Sequence, residues 1–269
     1  ARDIRLEAAI AKMWNSETGW RIADDALQIK GGRGYETADS LRSRGERPDP
    51  VERALRDWRI NLIFEGSSEI MHLFMAREAV DKHLEVAGAM IDPEKKAGDK
   101  LAALPKIAAF YAAWYPTRWL GWGFWPRYGE FGELATHLRF ADRNTRRLSR
   151  AIFHGMIVHQ ARLQNKQGFL FRLVDIANEL FAMSATVSRA QALRDAQAPE
   201  AEGAVELADL FCRNSRRKVV QLFRALWAND DVKKYKVGLN VLEGRHAWLE
   251  EGSMGLRDEK VVEAPAEPV

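Results

Sequence analysis

The chain has little of several things that would commit it early to a class. Its single cysteine, Cys212, cannot form an internal disulfide or a CxxC metal or redox motif, a usage that fits a reducing compartment. Leu210 and Phe211 beside it predict a buried, inert thiol rather than a nucleophile. Net charge is only +3 over 269 residues. The basic groups Arg143, Arg146, Arg147, Arg150 and Arg213, Arg216, Arg217, Lys218 recur at helical spacing among acids and apolars, which reads as solvated helix faces better than as a nucleic-acid footprint, and no nucleic-acid partner is expected. No apolar run is long enough to cross a bilayer, and the amino terminus lacks both a targeting layout and an initiator Met. Because helical periodicity begins at once, the chain is expected to start partway through a larger protein. Its six histidines are scattered singly, so no metal site is expected. No strand pattern and no internal repeat appear.

What is present is helical periodicity. Ile4, Ala8, Ala11, Trp14, Ile22, Ala26 and Ile29 recur at three- and four-residue steps and predict an amphipathic helix ended by Gly31-Gly32. Residues 33–50, rich in Gly, Ser, Arg, Asp and Pro, read as a loop, with Pro50 opening a short helix over Val51 to Ile60. Ser67 or Ser68 suits the N-cap of a long helix that Gly88 would stop. From Ile91 to Gly132 the pattern changes: Pro93 and Pro105 are expected to break it, and Phe110, Tyr111, Trp114, Tyr115, Trp119, Trp122, Phe124, Trp125 and Tyr128 crowd together. Three further helices are expected over about 131–165, 169–195 and 202–228, and Val261 to Val269 should be disordered. The fold class is all-α: a helical bundle over 1–88, an aromatic connector over 89–130, a second helical domain over 131–256, and a tail over 257–269.

Glu65 is the candidate for chemistry. Read alone, a Glu before Gly, two serines and a helix is a capping turn. Ile60, Leu62, Ile63 and Phe64 are expected to wall and partly desolvate the carboxylate, which would make it a stronger base. Gly66 leaves an open approach, and the helix start supplies a positive dipole end. The Gly31-Gly32-Arg33-Gly34 cluster follows a helix rather than a strand, which excludes a strand-loop-helix dinucleotide fold.

Taken in order, Gln28-Ile29-Lys30-Gly31-Gly32-Arg33-Gly34-Tyr35, Glu52-Arg53, Arg56-Asp57-Trp58-Arg59-Ile60, Phe64-Glu65-Gly66-Ser67-Ser68-Glu69-Ile70 and Ala76-Arg77-Glu78 resemble the C-terminal signature of the acyl-CoA dehydrogenases. Asn165-Lys166-Gln167-Gly168-Phe169-Leu170 through Ala182-Met183 to Ser188-Arg189-Ala190 resembles the extra helical domain of the very-long-chain branch. The resemblance implies FAD as cofactor and Glu65 as the base that removes the α-proton of an acyl-CoA while the flavin takes the β-hydride. The thioester oxygen would be polarised by the Glu65 backbone N–H and a ribityl hydroxyl. It implies that Phe64 walls the acyl channel beside Gly66, and that Arg77 lies near the CoA end. Gln28, Gly31 and Gly32 would touch the FAD of a neighbouring subunit, making a dimer part of the site. Ser67 stands where the family has Thr, and Glu69 at a cofactor-contact position that is often Gln.

The resemblance further implies an electron-transfer flavoprotein as partner and trans-2-enoyl-CoA as product. The spacing from Tyr35 to Glu52 is longer than the family's, so that loop must differ in shape. The family's amino-terminal helical domain and β-domain are absent from the sequence, so the chain alone is expected to be inactive. A second reading is a non-catalytic scaffold or assembly protein of the same descent. The aromatic connector suits packing between the helical halves or lying on a membrane surface, and the resemblance implies peripheral membrane contact. The expected location is the bacterial cytoplasm, on the inner membrane, with the matrix side of the mitochondrial inner membrane as the alternative.

Overall fold

A computed structural model describes residues 3–92, 94–121 and 126–250, and every regular element among them is helical. The chain divides into a unit spanning 1–227 and a second over 228–269. The expected tail and the aromatics Trp122, Phe124 and Trp125 lie outside the described residues.

The first unit opens with α1 (Arg5–Lys30), which stops where Gly31 turns to φ +57 and its N–H returns to the Gln28 carbonyl at 3.1 Å. Two short helices follow, α2 (Gly32–Tyr35) and α3 (Ala38–Ser43), in the stretch expected to be loop. Local polar chemistry builds them: Thr37 Oγ1 accepts from the Ser40 N–H at 3.2 Å, capping α3. Arg33 pairs with Glu36 and Glu46 at 3.2 and 2.9 Å, and Arg44 pairs with both acids. The Arg44 guanidinium and Ser40 hydroxyl hold the Glu36 carboxyl down at about 2. The short helix α4 (Val51–Ile60) has the bounds its sequence predicts.

Next come α5 (Ser68–Ile91) and α6 (Ala97–Leu120). α5 passes Gly88, which is an interior residue whose carbonyl accepts from the Asp92 N–H at 3.0 Å. Glycine costs only about 1 kcal/mol inside a helix, too little to end one that is packed. Likewise α6 runs through Pro105 and Pro116 rather than breaking. Ring packing offsets the lost backbone bonds: Tyr111 lies 4.7 Å and Trp114 5.7 Å from Phe153, and the Tyr111 hydroxyl is 3.0 Å from His83 Nδ1. Near Pro116, the buried Thr117 hydroxyl donates to the Trp114 carbonyl at 2.6 Å. Leu101, Leu104, Trp119 and Leu120 of α6 are exposed, and no described helix is long and apolar enough to span a membrane.

Two 3₁₀ segments, Gly129–Leu134 and Gln160–Asn165, bracket α7 (Ala135–His159); then follow α8 (Gln167–Asp195) and α9 (Ala201–Ala225). On α9, Val205, Ala208, Cys212, Ser215, Val219 and Phe223 are buried, a stripe at three- and four-residue steps. α8 supplies both cores of the unit. Leu173, Ile176 and Leu180 join Ile10 and Met13 of α1 and Met75 of α5, whereas Met183, Val187 and Ala190 join Leu138 of α7 and Cys212 of α9. Burial pushes the Cys212 thiol up to about 12, so it is un-ionised and unreactive, as its neighbours foretold. In the second unit, α10 (Asp231–Leu242) starts with the Asp231 N–H donating to Asn229 Oδ1 at 3.1 Å.

His72 fastens the first turns of α5 to α8. Its Nδ1 lies 2.7 Å from the Ser68 carbonyl, its Nε2 2.9 Å from Asp175 Oδ1, and its ring stacks on Phe171 at 4.4 Å. Both nitrogens face acceptors, which suits the doubly protonated ring. Burial opposes the charge, but Asp175 and the Ser68 carbonyl outweigh it and His72 titrates above the ordinary histidine value. A raised folded pKa means that this fastening is fully present below the unfolded value, about 6.5, and fades as pH rises through the higher folded value. The melting-temperature gap between the wild type and His72→Gln is therefore expected to be wider at about pH 6 than at about pH 8.5. Equal gaps at the two pH values would remove the charged ring from the account.

Candidate functional site

The site forms where α4 hands over to α5. After Ile60 the backbone keeps turning, with the Ile63 and Phe64 N–H groups both donating to the Ile60 carbonyl at 2.9 and 3.1 Å. Glu65 (φ +50) and Gly66 (φ +92) then reverse the chain. Ser67 caps α5, its Oγ accepting from the Ile70 N–H at 3.4 Å while the Ser68 N–H reaches back to the Leu62 carbonyl at 3.2 Å. A left-handed conformation at a residue other than glycine costs about 1–3 kcal/mol and needs an external hold.

Lys12 of α1 supplies that hold. Its ammonium donates to the Asn61 carbonyl at 2.9 Å, the Phe64 carbonyl at 3.4 Å and the Gly66 carbonyl at 2.5 Å. Three ammonium protons thus meet three carbonyls of one loop, and charge-assisted bonds as short as that to Asn61 contribute about 1.5–3 kcal/mol, the longer one to Phe64 less. Sequence reading missed Lys12 because it precedes the loop by some fifty positions and belongs to no motif; the signal it left was a lysine amid the apolar and small residues of α1.

The Glu65 side chain is exposed. The apolar wall expected from its neighbours does not close over it: Ile60 is 47%, Ile63 55% and Phe64 43% exposed. Within this chain Glu65 is thus a carboxylate on a rigid but open loop.

Ser67 and Glu69 meet in a cleft of about 390 Å³ with Glu17, Trp20 and Arg21 of α1, Arg59 of α4, and Leu62, Ile63 and Ser68. The Arg59 guanidinium lies over the Trp20 ring at 5.7 Å, and Arg21 pairs with Glu17 at 3.7 Å. Gln28, Gly31 and Gly32 are gathered separately, at the C-terminal end of α1, about 12 Å along the helix from Trp20. All three are exposed, and a Cβ on either glycine would meet nothing within 4 Å. Arg77 belongs to a third place, about 14 Å up α5 from Ser68. It lines an apolar cavity of about 360 Å³ with Leu73, Val80, Met156, Leu163 and Leu170. The structure therefore unites Ser67 with Glu69, sets Phe64, Glu65 and Gly66 on the adjoining loop, and keeps the glycine turn and Arg77 apart.

The cleft's two guanidiniums are balanced by Glu17 and Glu69, so it is polar rather than cationic, and its hydroxyls and the N-terminus of α5 suit one edge of a hydroxyl-rich ligand such as FAD. The bare glycine turn offers a second flat edge. The chain's residues fit the rim of such a group, while its ring would need walls from elsewhere.

The described residues thus form an all-α bundle with a lysine-pinned carboxylate loop at the start of α5. Residues 1–80 match the model described as "Acyl-CoA dehydrogenase, C-terminal domain", and residues 132–242 that described as "ACAD9/ACADV, C-terminal domain". The chain belongs to the acyl-CoA dehydrogenase family, in the very-long-chain type that carries an additional helical domain. It is 54% identical over 251 residues to "Probable acyl-CoA dehydrogenase FadE10" of Mycobacterium tuberculosis, covering 93% of this chain and 39% of that protein. To the human "Very long-chain specific acyl-CoA dehydrogenase, mitochondrial" it is 31% identical over 244 residues, covering 88% and 35% respectively. A crystal structure of an acyl-CoA dehydrogenase complexed with FAD from Bacillus anthracis shares the fold, with a TM-score of 0.58 at 21% identity over 88% of this chain and 36% of that one. The chain thus spans well under half the length of these relatives.

Proposed function

We propose that this chain supplies the catalytic base and one cofactor-facing edge of an FAD-dependent dehydrogenase acting on long or very long acyl-CoA thioesters. The observation that carries this reading is the Glu65–Gly66 reversal, pinned by Lys12 at the start of α5 and set in the family's motif order. The Glu65 carboxylate takes the proton from Cα, the Cα–Cβ double bond forms, and the hydride leaves Cβ. The flavin, when bound, supplies the acceptor for that hydride. The Glu65 N–H donates to the thioester oxygen, where negative charge grows as the proton departs, and preorganised donors of this kind are worth about 3 kcal/mol.

Phe64 and Gly66 border the approach to Glu65, and Arg77 binds toward the CoA end. Ser67 and Glu69 face the cofactor, whereas Gln28, Gly31 and Gly32 reach the cofactor of a partner subunit in a dimer. Electrons pass on to an electron-transfer flavoprotein. The aromatic connector, whose Trp119 and Leu120 are exposed at the end of α6, rests on the inner face of a bacterial cytoplasmic membrane. Turnover belongs to the longer protein, since this chain holds only a rim of the flavin.

The test is made on the full-length protein. Purified material is expected to carry a flavin absorbance that bleaches when palmitoyl-CoA is added without oxygen, with 2-enoyl-CoA as the product. A flavin-free protein would turn the assignment to the scaffold reading.

A further inference from the structure

Lys12 faces carbonyl oxygens, and the identity of those carbonyls matters. The Phe64 carbonyl belongs to the same peptide unit as the Glu65 N–H, and the Gly66 carbonyl to the same unit as the Ser67 N–H. No peptide in the described chain is cis, so carbonyl and N–H of each unit point in opposite directions. A cation on the Phe64 oxygen therefore sits behind the Glu65 N–H. Although this is the longest of the three Lys12 bonds, at 3.4 Å, the positive charge draws electron density through the conjugated amide and makes that N–H a stronger donor, as happens along hydrogen-bond chains. Its second and third bonds, to Asn61 and Gly66, grip the loop on either side, so the Glu65 peptide cannot turn over without breaking the cluster. Glu65 itself adopts a backbone conformation that would relax if released.

We propose that Lys12 is a positioning residue of this site, one that both fixes and polarises the Phe64–Glu65 amide so that the Glu65 N–H is preset to donate to the thioester oxygen of an acyl-CoA. The inference rests on the reading of Glu65 as the base at an acyl-CoA site. Lys12 touches neither substrate nor proton; it acts through the amide. Removing its charge should weaken the donor more than it weakens binding of the thioester in its ground state, because the oxygen is most negative after the α-proton has left.

The experiment uses the full-length holoprotein with Lys12→Met, which keeps length and apolar bulk, and Lys12→Arg, which keeps the charge. Flavin content, thermal midpoint, kcat and KM for palmitoyl-CoA are measured together with the infrared carbonyl stretch of bound, ¹³C-labelled 2-enoyl-CoA. Lys12→Met is expected to lower kcat on the order of 10- to 100-fold with KM within about threefold. Its bound carbonyl stretch moves back toward that of the free thioester, and Lys12→Arg restores part of both. Glu65→Gln is the control: it keeps the backbone N–H, so the carbonyl stretch stays shifted although turnover is lost. An unchanged carbonyl frequency in Lys12→Met, with any loss of rate accounted for by lost flavin or a lower melting point, overturns the polarising role. Should Lys12→Met not fold, Lys12→Gln, which also removes the charge, is read in its place, and a carbonyl stretch identical to the wild type overturns the role equally. A fully active Glu65→Gln would instead sink the underlying reading of the base.

Discussion

Glu65→Gln is expected to lower turnover of palmitoyl-CoA by about 10²–10⁴-fold, the usual contribution of a positioned base, while flavin content and melting temperature stay near those of the wild type. The substitution is close to isosteric and removes only the capacity to take a proton. Stability should hardly change because the Glu65 side chain is exposed and what fixes the loop is backbone: the Lys12 bonds, the Ser68-to-Leu62 bond and the Ser67 cap. Stopped-flow reduction of the flavin isolates this step from product release. A reductive rate within about threefold of the wild type would remove Glu65 from the base's role.

Gly66→Ala is expected to destabilise the loop by about 2–4 kcal/mol, the sum of a disfavoured backbone angle and a steric conflict. The two parts separate. Gly66 has φ +92, where a side chain is strained whatever the space around it, and an added Cβ would stand 2.6 Å from the Met71 sulfur. Met71→Ala clears the sulfur but leaves the angle. Met71 also packs against the core, so its truncation has a cost of its own, and the steric part is read from the cycle: Gly66→Ala added to Met71→Ala should cost only the angular part, about 1 kcal/mol or more, and less than Gly66→Ala costs in the wild type. Denaturant unfolding of the full-length protein reads both quantities. If Gly66→Ala is as stable as the wild type, the left-handed turn is not required.

Much of this architecture was legible because local signals agree with tertiary ones. Gly31 ends α1, Pro50 precedes α4 and Ser67 caps α5, and in each case the residue type and the packing ask for the same thing. Where the two disagree, local reading fails. Gly88 and Pro105 are helix breakers by propensity, yet α5 and α6 run through them because ring contacts such as Tyr111 on Phe153 outweigh the loss. The short helices α2 and α3 arise from a Thr cap and a lattice of ion pairs in a stretch whose composition reads as loop.

At the site, Ser67 and Glu69 were found by motif and do share a cleft. Motif order cannot show burial, and the expected apolar wall around Glu65 proved to be turned outward. Nor can it show the Lys12 grip, which depends on the crossing of α1 over the loop and leaves no periodic trace.

One consequence follows from α8, whose Ile176 and Leu180 belong to one core and whose Met183 and Val187 belong to the other. A helix that is indispensable to both cannot be released by opening either alone. Its central amides, around Ile176 to Val187, should therefore be the slowest in the first unit to exchange with heavy water and should do so only by whole-unit unfolding. Amides at the exposed start of α6, around Leu101, should exchange through local opening, so isotope uptake would trace an inner axis along α8 around which the other helices are hung.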